Sequence, residues 1–118
     1  MPVRVLIVDD HAGFRRVARR LLQDMGRLVV GEAGTGHEAL SEARRLKPDL
    51  VLLDIQLPDL DGLAVARSLS SDPNPPAVVL VSSRDAADYG PSLDGCGALG
   101  FIAKADLTAE SLTALLGA

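Results

Sequence analysis

Tryptophan is absent, tyrosine occurs once and phenylalanine twice, so aromatic residues make up only 3% of the 118 residues. A core must therefore be assembled from Val, Leu, Ile and Ala, a composition suited to helices packed on a buried parallel sheet. A single cysteine, Cys96, excludes an internal disulfide and gives no cysteine metal cluster. Basic residues are outnumbered, 12 against 16 acidic ones, for a net charge of −4. Nothing resembles the basic footprint of a nucleic-acid binder. No apolar stretch approaches the ~20 residues that span a bilayer. The first apolar run, Val5 to Val8, ends in two aspartates, which is wrong for a signal peptide. A cytoplasmic protein is the expectation. Length, the 47% hydrophobic content and the absence of repeats or a linker fit one compact domain over residues 1–118.

Five short apolar runs are present. Val3 to Val8, Leu28 to Ala33, Leu50 to Leu53, Ala77 to Val81 and Leu99 to Ala103 read as buried strands. Between the first two, Phe14, Val17, Ala18, Leu21, Leu22 and Met25 recur at helical steps and predict one core-facing stripe over His11 to Met25. Thr35 and Glu38 match a capping box, opening a helix that stops before Pro48. Leu63 to Leu69 and Thr108 to Leu116 predict two further helices. Ala86 to Gly97 would be helical but for Gly90-Pro91, so the helix there is expected to start near Pro91, where proline at a first turn costs little. The βα alternation implies an α/β fold, a doubly wound five-stranded parallel sheet flanked by helices.

In such sheets the working crevice lies at the carboxyl ends of the strands. Asp9 and Asp10 follow the first strand, Asp54 the third, Ser82 the fourth and Lys104 the fifth. Converging carboxylates repel: two unit charges ~4 Å apart cost about 4 kcal/mol at an effective dielectric of ~20. Lys104 offsets one charge. A divalent ion would offset two more, and an oxygen-only site suits Mg²⁺. Such a site suits phosphoryl chemistry, with Asp54 as nucleophile and Lys104 and Ser82 contacting the transferred oxygens.

Asp9-Asp10, Asp54 followed by Leu57-Pro58 and Asp61-Gly62, Ser82, Phe101 and Lys104 together resemble the receiver domain of bacterial two-component response regulators, over the whole chain. The resemblance implies a flavodoxin-like, CheY-like fold and a phosphoacceptor that assists its own phosphotransfer and slow autodephosphorylation, not a free-standing metabolic enzyme. It implies that Asp54 accepts the phosphoryl group and that Asp10 binds Mg²⁺ directly, with Asp9 acting mainly through water. It further implies that the Gln56 backbone carbonyl completes the metal site, that Lys104 pairs with Asp54, and that Ser82 and Phe101 form the switch. A histidine kinase or phosphotransfer protein would be the donor, and a downstream protein the target. Gln56 and Arg84 occupy positions that influence the phosphoryl lifetime in similar domains. Ala105 stands where proline usually follows the lysine, which would loosen the next loop. Gly90-Pro91 falls in the segment that usually forms the output face, so that face is expected to depart from the family pattern.

Simpler readings exist for each residue alone: Asp10 as a helix cap, Asp54 and Ser82 as turn residues, Lys104 as a solvated charge, Phe101 as core. Their joint placement argues against them. His11 and His37 read as surface residues, and Cys96 as a small buried hydrophobe. Arg15, Arg16, Arg19 and Arg20 read as a solvated helix face, the alternative being a docking surface for an acidic phosphodonor. A phosphorylation-independent pseudo-receiver is the competing function. A phosphatase of the haloacid dehalogenase type would carry a second aspartate where Gln56 stands. The expected reading is a stand-alone receiver, since no effector segment follows Leu116.

Overall fold

Each of the five apolar runs becomes a strand. The structure, a computed structural model, describes residues 2–117. The strands are β1 (Arg4–Val8), β2 (Leu28–Ala33), β3 (Leu50–Asp54), β4 (Ala77–Ser82) and β5 (Gly100–Ala103). The helices are α1 (Ala12–Asp24), α2 (Gly36–Leu46), α3 (Gly62–Ser70) and α4 (Ala109–Leu116). All pairings are parallel, in the order β2-β1-β3-β4-β5. This is the flavodoxin-like order, in which the switch point lies between the first and third strands.

Strand side chains alternate between two cores. Leu6, Val8, Val51, Leu53, Val78 and Leu80 pack with α2 and α3, while Val5, Ile7, Leu50, Leu52, Val79 and Val81 pack with α1 and α4. All twelve are exposed by 1% or less, so the strands are unbroken apolar runs. Burying each such side chain stabilises by roughly 1.5–3 kcal/mol. Cys96 is buried among them, as a small hydrophobe.

The helix expected from Pro91 does not form. Residues 86–93 make two short 3₁₀ turns, Ala86–Asp88 and Gly90–Leu93, instead. Gly90, Gly95 and Gly97 take left-handed backbone conformations (φ +55°, +75° and +87°), which a continuous α-helix over 86–97 cannot include. Tyr89, Leu93, Cys96 and Ala98 pack on the α2/α3 side of the sheet without a helix to carry them. Val17 is a second correction. It lies at the margin of the α1 stripe and is 64% exposed, while Phe14, Ala18, Leu21, Leu22 and Met25 face the sheet.

The start of α2 differs in one respect. The Thr35 hydroxyl accepts the Glu38 N–H at 3.1 Å, as expected. The other free donors, the N–H groups of Gly36 and His37, go to the Asp59 carboxylate at 2.7 and 3.0 Å. The His37 N–H lowers the Asp59 pKa most, burial partly opposes it, the Gly36 N–H adds to the lowering, and the net shift is downward. The cap ties the loop after β3 to α2. After β5, Lys104–Asp106 form a 3₁₀ turn closed by the Leu107 N–H on the Lys104 carbonyl at 3.3 Å, and Ala105 lies within it.

Candidate functional site

The parallel sheet brings the ends of β1, β3, β4 and β5 to one edge, and with them Asp9, Asp10, Asp54, Ser82 and Lys104. Asp9 is fully buried. Its Oδ1 accepts the His11 backbone N–H at 2.8 Å, and its own N–H donates to the Ala33 carbonyl at 3.0 Å. Asp54 is 2% exposed and ends β3. Its Oδ1 accepts the Gln56 backbone N–H at 3.1 Å. Lys104 Nζ bridges the two carboxylates, 2.6 Å from Asp9 Oδ2 and 3.5 Å from Asp54 Oδ2. The ammonium also lies over the Phe14 ring, 4.5 Å from its centre, a cation–π contact. Phe14 thus serves both core and site, a role its helical spacing did not reveal.

Burial pushes the Asp54 carboxyl up, the neighbouring Asp9 charge adds to this, and Lys104 and the Gln56 N–H only partly offset them. The pKa is raised from 3.8 to about 6. One lysine does not balance two buried carboxylates with a third nearby. Asp9, Asp10, His11 and Asp54 each offer a ligand atom, all within 4.8 Å of one another. Asp9 Oδ2 is buried, and among the described residues no donor is aligned to hydrogen-bond it, although Lys104 is close enough for an ion pair. Carboxylates outnumber the one lysine between them, and a ligand set dominated by carboxylate oxygens fits a hard divalent cation such as Mg²⁺. His11 is exposed, as expected of a surface residue, yet its Nδ1 stands 3.0 Å from Asp10 Oδ1.

Behind Asp9 two of the α1 arginines are tied to the sheet. Arg15 Nε and Arg19 Nη2 close on the two oxygens of Glu32 on β2, at 3.0 and 2.6 Å. The Arg15 guanidinium also donates to the Asp9 backbone carbonyl. Arg20 pairs with Asp24 on the helix surface. The like-charge spacing of Arg15 and Arg19 is resolved by an anion from a neighbouring strand, invisible to a reading of α1 alone. Burial by itself would raise the Glu32 carboxyl, but the hydrogen bonds and charges of Arg19 and Arg15 hold it below the usual range. Its contribution is present above the unfolded value of 4.5 and lost as pH falls through the lower folded value. Glu32→Gln is expected to cost about 1–2 kcal/mol, as charge-assisted hydrogen bonds at a half-exposed site do. Urea unfolding at neutral pH checks this, and the deficit should shrink in acid.

Ser82 ends β4 and is fully buried. Its hydroxyl meets the Tyr89 phenol at 2.5 Å and accepts the Arg84 backbone N–H at 3.0 Å. The Tyr89 ring packs at 6.1 Å, tilted by 56°, on half-buried Phe101. Tyr89 lies seven residues beyond Ser82, and only the fold of the intervening turns brings it back. Its being the sole tyrosine was the one available signal. Gln56 and Arg84 are both exposed at the rim.

Fold and site together define a flavodoxin-like α/β protein with a lysine-bridged acidic pocket at the carboxyl edge of its sheet. The response regulator receiver domain family matches residues 5–116. The chain belongs to that family, whose members act in two-component signalling. It is 39% identical over 114 residues to the response regulator GacA of Pseudomonas viridiflava, covering 96% of this chain and 53% of that protein. It is 45% identical over 103 residues to protein-glutamate methylesterase/protein-glutamine glutaminase 6 of Anaeromyxobacter dehalogenans, covering 86% of this chain and 29% of that one. The response regulator domain of Thermotoga maritima CheB superposes with a TM-score of 0.85 at 30% identity, covering 100% of this chain and 96% of that one. The chain spans about half the length, or less, of the curated relatives it matches. Among the described residues no helix is long and apolar enough to cross a membrane.

Proposed function

We propose that residues 1–118 form one receiver unit that is phosphorylated on Asp54 by a histidine kinase or phosphotransfer protein and thereby switches a protein-interaction surface. The observation that carries this reading is the placement of two buried carboxylates, Asp9 and Asp54, on one lysine, 2.6 and 3.5 Å from its Nζ. A structural ion pair would need one carboxylate. The excess negative charge is what a cation and a phosphoryl group would use.

Asp9, Asp10, Asp54 and the Gln56 backbone carbonyl would hold Mg²⁺, which supplies charge neutralisation for the entering phosphoryl oxygens. The chain's own residues do the rest. An Asp54 carboxylate oxygen forms the new bond to phosphorus as the bond from phosphorus to the donor breaks, the leaving group keeping that electron pair. Lys104 moves its charge from carboxylate to phosphoryl oxygens as they arrive. Ser82 donates its hydroxyl hydrogen to one of them, and Phe101 responds beside it. Gln56 and Arg84 at the rim govern the approach of the water that later hydrolyses the acyl phosphate. The role is that of a phosphoacceptor, as in receivers generally, rather than of a metabolic enzyme.

Acetyl phosphate with Mg²⁺ is expected to add one phosphoryl mass increment to the intact wild-type protein, and none to Asp54→Asn or to wild type in EDTA. An increment that survives in Asp54→Asn would reject Asp54 as acceptor. No increment in wild type would favour a module that binds partners without phosphorylation.

A further inference from the structure

A serine hydroxyl has one hydrogen to donate and two lone pairs to accept with. At Ser82 one lone pair is taken by the Arg84 N–H at 3.0 Å; one hydrogen and one lone pair remain, and the Tyr89 phenol at 2.5 Å engages one of them. Ser82 is fully buried, so water does not compete for it. A hydroxyl held at 2.5 Å by the phenol must turn away from it to serve a phosphoryl group on Asp54. Phe101, two residues before the Ala103 that pairs with Ser82 on β5, has no hydroxyl with which to hold Ser82; Tyr89 brings one from a different segment and packs its ring against Phe101 at 6.1 Å.

The backbone explains how Tyr89 reaches the site. It lies between the two 3₁₀ turns, closing the first through its N–H on the Ala86 carbonyl at 3.1 Å. Gly90 follows in a left-handed conformation, φ +55°, and opens the second turn. A continuous helix over this segment is broken at the residue after Tyr89, so Tyr89 stands on a joint, with the exposed turn residues 90–92 beyond it.

We propose that Tyr89 is a positioning residue of the phosphoryl switch: its phenol holds the Ser82 hydroxyl in the resting protein and releases it when Ser82 turns to a phosphoryl group on Asp54. The proposal rests on the reading of Asp54 as phosphoacceptor. Release of the phenol frees the joint at Gly90, which couples occupancy of the site to the conformation of residues 86–93. Tyr89 is the sole tyrosine and tryptophan is absent, so the protein's intrinsic emission comes from this residue's phenol.

Beryllofluoride with Mg²⁺, a phosphoryl stand-in, tests the proposal with two readouts on one sample. Fluorine NMR reports occupancy of the site, and acrylamide quenching of tyrosine emission reports the phenol. In wild type a bound fluoride signal is expected to appear together with increased quenching. In Ser82→Ala without beryllofluoride, quenching should already be raised, because the partner is gone. Tyr89→Phe keeps the ring and its packing but loses the hold on Ser82, so it should bind beryllofluoride about 2- to 10-fold more tightly, the equivalent of one net hydrogen bond. Bound fluoride with unchanged quenching, unchanged emission in Ser82→Ala, or equal or weaker binding by Tyr89→Phe would each overturn the role of Tyr89 while leaving Asp54 as acceptor. No bound fluoride in wild type would overturn the Asp54 reading and the role of Tyr89 with it.

Discussion

Replacing Asp54 with asparagine is expected to stabilise the metal-free protein by roughly 3 kcal/mol at neutral pH, the free energy that corresponds to a pKa raised from 3.8 to about 6. The geometry supplies the cause: a carboxylate exposed by only 2%, beside the fully buried Asp9, with one lysine between them. A raised carboxyl pKa means that the folded state holds its proton more tightly than the unfolded chain. Below 3.8 both states are protonated and the cost is absent. It grows as pH rises and is complete once pH has passed through about 6. Wild type in EDTA should therefore lose stability relative to Asp54→Asn between about pH 4 and about pH 7. Carboxyls held below their usual range, such as Glu32 and Asp59, exert their effect at lower pH and are common to both proteins. Mg²⁺ should restore stability to wild type far more than to the variant, since a ligand stabilises only the state that binds it. Parallel urea titrations across that range check this. A pH-independent difference between the two proteins would contradict the account of the pocket.

The second large effect is steric. Gly62 opens α3 with its backbone pressed on the strand that carries Asp54. A Cβ there would lie 2.3 Å from the Asp54 carbonyl oxygen and 2.5 Å from Ile55 Cα. The Gly62 N–H donates to the Ile55 carbonyl at 2.8 Å, which holds the two segments at that separation. Neither obstacle is the flexible end of a side chain, so the backbone of the acceptor segment must move. Gly62→Ala is expected to cost about 2–3 kcal/mol or more, lowering the thermal midpoint by roughly 10 °C in a domain of this size. Gly13 provides the control. It sits in the first turn of α1, and a Cβ at that position would have nothing within 4 Å. Gly13→Ala should stabilise by about 0.5 kcal/mol, because alanine loses less backbone entropy in a helix. Thermal melts of the two variants should shift in opposite directions.

The sheet was legible because its signal is local. Val5 to Val8, Leu50 to Leu53 and Ala77 to Val81 are apolar runs too short for helices, and each ends where polar residues begin. Parallel pairing then places Asp9, Asp54, Ser82 and Lys104 on one edge by topology alone. What could not be read were contacts that depend on tertiary register. Glu32 answers Arg15 and Arg19 only because β2 lies beside α1. Asp59 caps α2 from a loop more than twenty residues downstream. Val17 obeys the helical period but lies at the margin of the stripe and stays exposed. The segment after Ser82 departs from expectation for another reason. Pro91 by itself suggests a helix start, whereas three glycines in left-handed conformations, Gly90, Gly95 and Gly97, interrupt a helix there.

The central claim is that Asp54 is the residue that takes the phosphoryl group. Borohydride reduction converts an aspartyl phosphate to homoserine and leaves a free carboxylate untouched. Protein treated with acetyl phosphate and Mg²⁺, reduced and then digested, should show homoserine at position 54 alone in the peptide mass spectra. Homoserine at Asp9 or Asp10, or at no aspartate, would contradict the account.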